Sequence, residues 1–228
     1  MVTKLPRWIE VGGFSLTLIA GSVNAVGLLG FEHQAVSHLT GTATLLGERL
    51  VRGDGGSVLH LVLVMLSFVV GATLSGFIVR DATLLLGRRY GVVLLLESAL
   101  LFTAMLTLKN GWIIGHLLTS AACGLQNAMI TTYSGATMRT THVTGLFTDL
   151  GIALGGRLRG IPVSQRRVTL HLILIAGFIL GGALGTATYD RYGYAALIVP
   201  AALALLLAAA YGLYWSIVNR AARRALEA

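Results

Sequence analysis

Two short segments carry most of the polar chemistry in this sequence: His38-Leu-Thr-Gly41 and His142-Val-Thr-Gly145. An imidazole titrates near neutral pH, so either histidine can donate to a solute, relay a proton, or bond a neighbouring backbone carbonyl. The Thr-Gly pair suits the start of a helix. Unpaired N–H groups there carry a partial positive charge and accept an anion or a polar solute group. On this reading Thr40, Gly41, Thr144 and Gly145 present backbone donors, and Thr44 and Thr148, one turn on, add hydroxyls. The competing reading is that His-x-Thr-Gly only caps a short helix and lets it pack closely. The expected caps are Ser37 or Thr40 in the first copy and Thr141 or Thr144 in the second.

Three amides, Asn24, Gln126 and Asn127, fall inside long apolar stretches. Amides in such places either bond helix to helix or line a pore. The two most deeply placed acids are Glu97 and Asp149. A charge stranded in lipid costs about 2.5–3.5 kcal/mol on insertion scales, so each is a candidate for carrying a coupling proton. Asp149 has no acidic counterpart in the first copy of the motif. No His-x-x-His or Glu-x-x-His spacing suggests a metal. Neither a Gly-x-Ser-x-Gly nor a His-Glu-x-x-His pattern occurs, and no carboxylates are plausibly paired. An enzyme is therefore not expected, and no catalytic residue or cofactor is assigned. The single cysteine, Cys123, excludes an internal disulfide and reads as a small packing residue.

The elements that must hold these residues belong to a membrane. Only 11% of the 228 residues are charged and 55% are hydrophobic. A soluble domain carries about 25% charged residues, so this chain cannot cover its surface with polar groups. Six stretches are long and apolar enough to cross a bilayer: 11–31, 57–79, 90–108, 110–138, 168–189 and 192–219. The net charge of +8 reads as topology signal rather than nucleic-acid affinity, since no basic stripe interleaved with aromatics occurs. The first stretch is not a signal peptide. Its Gly21-Ser-Val-Asn-Ala25 recurs inside the chain as Gly124-Leu-Gln-Asn-Ala128.

That recurrence is part of an internal repeat. Residues 38–47 and 142–151 agree at six of ten positions, and Phe68, Gly71 and Leu74 answer Phe178, Gly181 and Leu184. Each half reads as span, His-x-Thr-Gly segment, span, span, with repeat one over about 11–108 and repeat two over about 110–219 of one membrane domain, 1–228. His38 to Val51 is too short to cross: at 1.5 Å per residue it reaches only about 21 Å. The segment is expected to be a half-helix, with extended chain up to His38 and helix from Thr40 or Gly41 to about Val51.

The expected fold is thus all-α: six transmembrane helices, two re-entrant half-helices, and two three-helix repeats inverted in the membrane. With the N-terminus inside, this topology places 13 Lys/Arg inside and 4 (Arg49, Arg52, Lys109 and Arg191) outside. Eight full crossings would give 12 against 5, so charge alone barely separates the two; segment length favours six. The small-residue runs from Gly71 to Gly76 and from Gly177 to Gly185 are expected at close helix contacts. His60, His116 and His171 are expected near helix ends. Gly155–Arg167, with four arginines, is expected to anchor topology beside anionic lipid.

The segments Ala20–Gly47 and Cys123–Gly151, with Ser37-His-Leu-Thr-Gly and Arg139-Thr-Thr-His-Val-Thr-Gly at their centres, resemble the YoaK-like family. The resemblance implies a bacterial inner-membrane protein of roughly six helices with no assigned substrate. More loosely, paired half-helices resemble the cores of larger anion and nucleobase transporters, which implies a reduced version and a possible homodimer. The leading expectation is a transporter of a small polar or anionic solute. Its site would lie at the midplane between the two half-helix N-termini, with both chain termini cytoplasmic. A passive channel and a non-transporting membrane scaffold remain as alternatives.

Overall fold

The computed structural model describes residues 8–30, 37–79, 88–134 and 138–227, with backbone only for Trp8, Arg88 and 218–227. Lys4, Arg7, Arg80 and the extended chain expected before Ser37 lie outside the described residues. Eight α-helices follow one another: α1 (Trp8–Gly30), α2 (Leu39–Arg52), α3 (Gly55–Ile78), α4 (Arg88–Lys109), α5 (Ile114–Tyr133), α6 (Val143–Leu158), α7 (Gln165–Tyr192) and α8 (Ile198–Glu227). A 3-10 turn, Gly193–Leu197, joins the last two.

Among the described residues four stretches are long and apolar enough to cross a membrane: Ile9–Gly30, Gly55–Ile78, Arg89–Lys109 and Gln165–Ile217, the last running through α7, the turn and α8. The chain is a helical membrane protein. The helix α5 falls short on apolarity because it lies inside the bundle. Its buried face carries Thr119, Ser120 and Gln126 beside Leu125, Met129 and Ile130. It is shorter than the expected 110–138 stretch, because Gly111 turns the chain at φ 75° before it.

Contacts along the bundle fix the direction of each helix. The helices α1 and α7 run parallel, with Gly13 beside Leu174, Gly21 beside Phe178 and Ser22 beside Gly185. So do α3 and α5, where His60 meets His116 and the Ser120 hydroxyl donates to the Val64 carbonyl at 2.9 Å. In contrast α4 and α8 are antiparallel: the Ser98 hydroxyl donates to the Ala201 carbonyl at 2.8 Å, while Gly91 faces Ala208. Tyr90 meets Tyr133 edge to face and Gly115 meets Leu108, which makes α4 and α5 antiparallel too. Gly12 near Tyr211, with Gly30 against Tyr194, sets α1 against α8. Hence α1, α4 and α7 point one way, and α3, α5 and α8 the other.

The two parallel pairs are built alike. A Cβ at Gly21 would overlap the Phe178 carbonyl, and one at Gly124 the Phe68 carbonyl. A Cβ at Gly181 would strike the backbone of Leu18, and one at Gly71 that of Ala121. In lipid there is no hydrophobic force between helices, so close backbone packing across small residues supplies the attraction. That is why glycines sit at these crossings, as the small-residue runs suggested.

Candidate functional site

Each half carries an asparagine that holds the chain just before a short helix. In the first half the Ser37 hydroxyl donates to Asn24 Oδ1 at 2.7 Å. In the second the Thr140 N–H donates to Asn127 Oδ1 at 3.1 Å. Asn24 lies six residues before the end of α1 and Asn127 six before the end of α5, about 9 Å in from each end at 1.5 Å per residue. From that depth α2 leads back to the end where α1 finished and α3 begins. In the same way α6 leads back to the end where α5 finished and α7 begins. Two of the amides read as binding candidates therefore act as anchors for the short helices α2 and α6. Gln126, fully buried, is a third tie: its Nε2 donates to the Leu16 carbonyl at 2.6 Å, joining α5 to α1.

The glycine of His-x-Thr-Gly has a local cause. The histidine precedes the helix and its ring folds back over the first turn, so a Cβ at Gly41 would press on His38, and one at Gly145 would collide with His142. The cap of α2 is His38 rather than Ser37 or Thr40: the Gly41 N–H donates to His38 Nδ1 at 3.2 Å. Ser37 is committed to Asn24 instead. His142 stands at the same place before α6 but makes no side-chain cap bond, and neither Thr141 nor Thr144 replaces it. Thr44 and Thr148 donate to the Thr40 and Thr144 carbonyls at 3.0 and 2.9 Å, so both hydroxyl protons serve their own helices.

The first turn of α6 opens onto a cleft of about 430 Å³ lined by Arg139, His142, Thr144, Gly145, Leu146, Thr148 and Asp149. It joins an uncapped helix N-terminus to an exposed guanidinium, the two groups best suited to an anion. In the sequence Arg139 is one of the thirteen inner-face charges and opens the second motif, and it is not among the expected site residues. The signal for it was its position three residues before His142. The cleft is not purely positive, since Asp149 borders it. That carboxylate is tied to α7, 3.4 Å from Arg167 Nη2 and 3.7 Å from His171 Nε2.

The N-termini of the two short helices α2 and α6 are not brought together. The helix α2 packs on α3 and α6 on α7, and among the described residues α2 and α6 do not touch. His38, Thr40 and Thr44 lie exposed on one flank of the bundle, His142, Thr144 and Thr148 on another. The shallow anchors explain this, because each half-helix starts about 9 Å from its own end rather than at the centre. Glu97 is the acid that does occupy the centre. It is 1% exposed, with Oε2 lacking any hydrogen-bond partner, on the buried stripe of α4 between Leu94 and Leu101.

Among known families, residues 12–210 match the one described as Protein of unknown function (DUF1275). The chain belongs to this family. The YoaK-like resemblance read from the repeated motifs is consistent with that membership. Neither a curated protein nor a solved structure matches the chain. Family membership supplies no substrate, and the cleft at α6 is the feature that bears on function.

Proposed function

We propose that the protein is a transporter of a small polar or anionic solute, bound at the mouth of α6. The observation that carries this reading is the uncapped α6 N-terminus facing the Arg139-lined cleft. On this proposal α1, α3, α4, α5, α7 and α8 cross the membrane, while α2 and α6 enter from opposite faces and leave by the face they entered. The helix directions and the two asparagine anchors support it. The three-span halves are then inverted with respect to one another. Arg89, Arg139, Arg157, Arg159, Arg166 and Arg167 collect at the end where α1 starts, against Arg49, Arg52, Lys109 and Arg191 at the other. The positive-inside rule makes the first end cytoplasmic, which suits a bacterial inner membrane with both termini inside.

Alternating access follows from how the two halves differ. The spacing that carries Gly21 to Gly124 carries Gly12 to Gly115. Gly115 is packed hard against Leu108 of α4, whereas Gly12 has only ordinary contact with Tyr211 of α8, beside a groove of about 390 Å³. One face is thus closed where its counterpart is loose, and rocking one half against the other exchanges the two. Of the two coupling candidates, Asp149 is occupied by Arg167 and His171, and Glu97 is the better placed.

Binding tests the proposal directly. Purified protein is titrated with chloride, formate, sulfate and phosphate while its unfolding temperature is followed. The expected result is stabilisation by at least one of these anions, and loss of that stabilisation in Arg139→Gln. A response to none of them, or one equal in Arg139→Gln, contradicts an anion site at α6.

A further inference from the structure

The cleft at α6 is bordered by two opposite charges that do not meet. Arg139 is exposed and makes no ion pair among the described residues. Asp149 borders the same cleft. Its contacts with Arg167 and His171 both fall on Oδ2, and among the described residues no hydrogen bond reaches Oδ1. An ionised carboxylate accepts at both oxygens, so Oδ1 is left for a donor from outside the chain.

Each charge is fixed where it stands. On one side of Arg139 the Met138 N–H donates to Ser134 Oγ at 2.8 Å, and on the other the Thr140 N–H donates to Asn127 Oδ1 at 3.1 Å. Both neighbours are buried, and Arg139 is the exposed residue between them. Asp149 is held towards α7 by Arg167 and by the buried His171. Neither charge occurs in the first copy, where Ala35 and Leu45 stand at the matching places. The remaining polar groups divide in the same way. The uncapped α6 N-terminus offers N–H groups at the Arg139 end. One turn on, about 5.4 Å along the helix, Thr148 commits its hydroxyl proton to the Thr144 carbonyl, so its oxygen meets a solute only as an acceptor. Donors therefore line one end of the cleft, and the acceptors Thr148 and Asp149 line the other.

We infer that the solute bound here is a small zwitterion of the amino-acid type. Its anionic group lies towards Arg139 and the α6 N-terminus, and its ammonium lies on Asp149 Oδ1 and Thr148 Oγ1. The inference deepens the transporter reading and rests on it for the site. Opposite charges free to meet would pair with each other. Held apart across a cleft of about 430 Å³, they are preorganised for a solute that carries both complements. A simple anion meets the Asp149 carboxylate as a like charge instead. Leu146, buried in the cleft wall, offers the carbon skeleton an apolar contact.

Comparing glycine, alanine and serine with propionate tests this, because propionate keeps the carboxylate of glycine and replaces its ammonium by a methyl group. Binding to the purified full chain is measured by calorimetry. At least one of the amino acids is expected to bind at about tenfold lower concentration than propionate. Asp149→Asn is expected to reduce that preference to about twofold or less, and Arg139→Gln to weaken amino acid and propionate alike. Asp149 also ties α6 to α7, so Thr148→Val, at an exposed position, is the second variant. It is expected to weaken the amino acid about threefold and to leave propionate unchanged. Propionate that binds as well as every amino acid overturns the inference, and so does an undiminished preference in both Asp149→Asn and Thr148→Val. If propionate binds without that preference and is lost in Arg139→Gln, the anion site stands and the zwitterion alone falls. Binding of no solute overturns both readings. Amino-acid binding with the expected variant effects, but no uptake into proteoliposomes, would sink the transporter reading alone.

Discussion

His38 and His142 occupy the same place in the two halves and do different things there. His38 accepts from the Gly41 N–H and closes the start of α2, while the start of α6 stays uncapped beside Arg139. The sequence left capping and solute binding open for both copies, and the structure shows a side-chain cap in the first copy only. What could not be read was the partner of each amide. Asn127 Oδ1 takes the N–H of Thr140, which is 2% exposed. Two residues 13 apart meet only because the chain turns back along α5, and no local pattern announces that. Asn127→Ala is expected to leave this buried N–H unsatisfied and cost about 1–3 kcal/mol of stability. The check is the thermal unfolding midpoint in detergent. Asn24→Ala is expected to cost less, because the Ser37 hydroxyl can turn to another acceptor whereas a backbone N–H cannot.

At the scale of elements, length and apolarity made most of the architecture legible. The short helices α2 and α6 were expected from the fourteen residues between His38 and Val51, and α2 spans Leu39–Arg52. The helix α5 was legible only in outline, because a helix enclosed by protein is free to be polar and its ends then lose their hydropathy signal. Glycines were legible as a class, yet which of them touch a neighbour was not. Gly71 and Gly76 sit in one run, and only Gly71 meets backbone, that of Ala121; Gly76 has open space around it. The same contrast separates Gly181 from Gly182. Gly71→Ala is therefore expected to force α3 from α5 and cost about 1–3 kcal/mol, as overpacking does, while Gly76→Ala is expected to be near neutral. Unfolding of the two variants side by side measures the difference. Equal effects would mean that the close approach of α3 to α5 does not hold the bundle together.

Across the whole molecule, the halves are joined by a contact scheme that survives exchanging them: α1 with α7 against α5 with α3, and α4 with α8 against itself. The acids break that scheme. The spacing that carries Phe68 to Phe178 carries Glu97 to Leu207, and Asp149 has Leu45 as its counterpart. On the transporter proposal, the central acid Glu97 and the cleft at α6 are the two features that depart from the repeated frame. The exposed flanks of α2 and α6, with Leu50, Val51, Phe147, Ile152 and Leu158 outward, suit lipid or a second copy of the chain.

The central claim is that the two halves are inverted, and side-specific labelling addresses it most directly. Single cysteines replace Gly55, at the start of α3, and Ser164, just before α7, in a Cys123→Ala background. Both positions are exposed, and neither needs a positive φ, unlike Gly53 and Gly160. Intact cells are treated with a membrane-impermeant maleimide. The account predicts labelling at position 55 from outside and at position 164 only after the cells are opened. Labelling of both positions from the same side would make α2 and α6 full crossings and the halves parallel, and would contradict it.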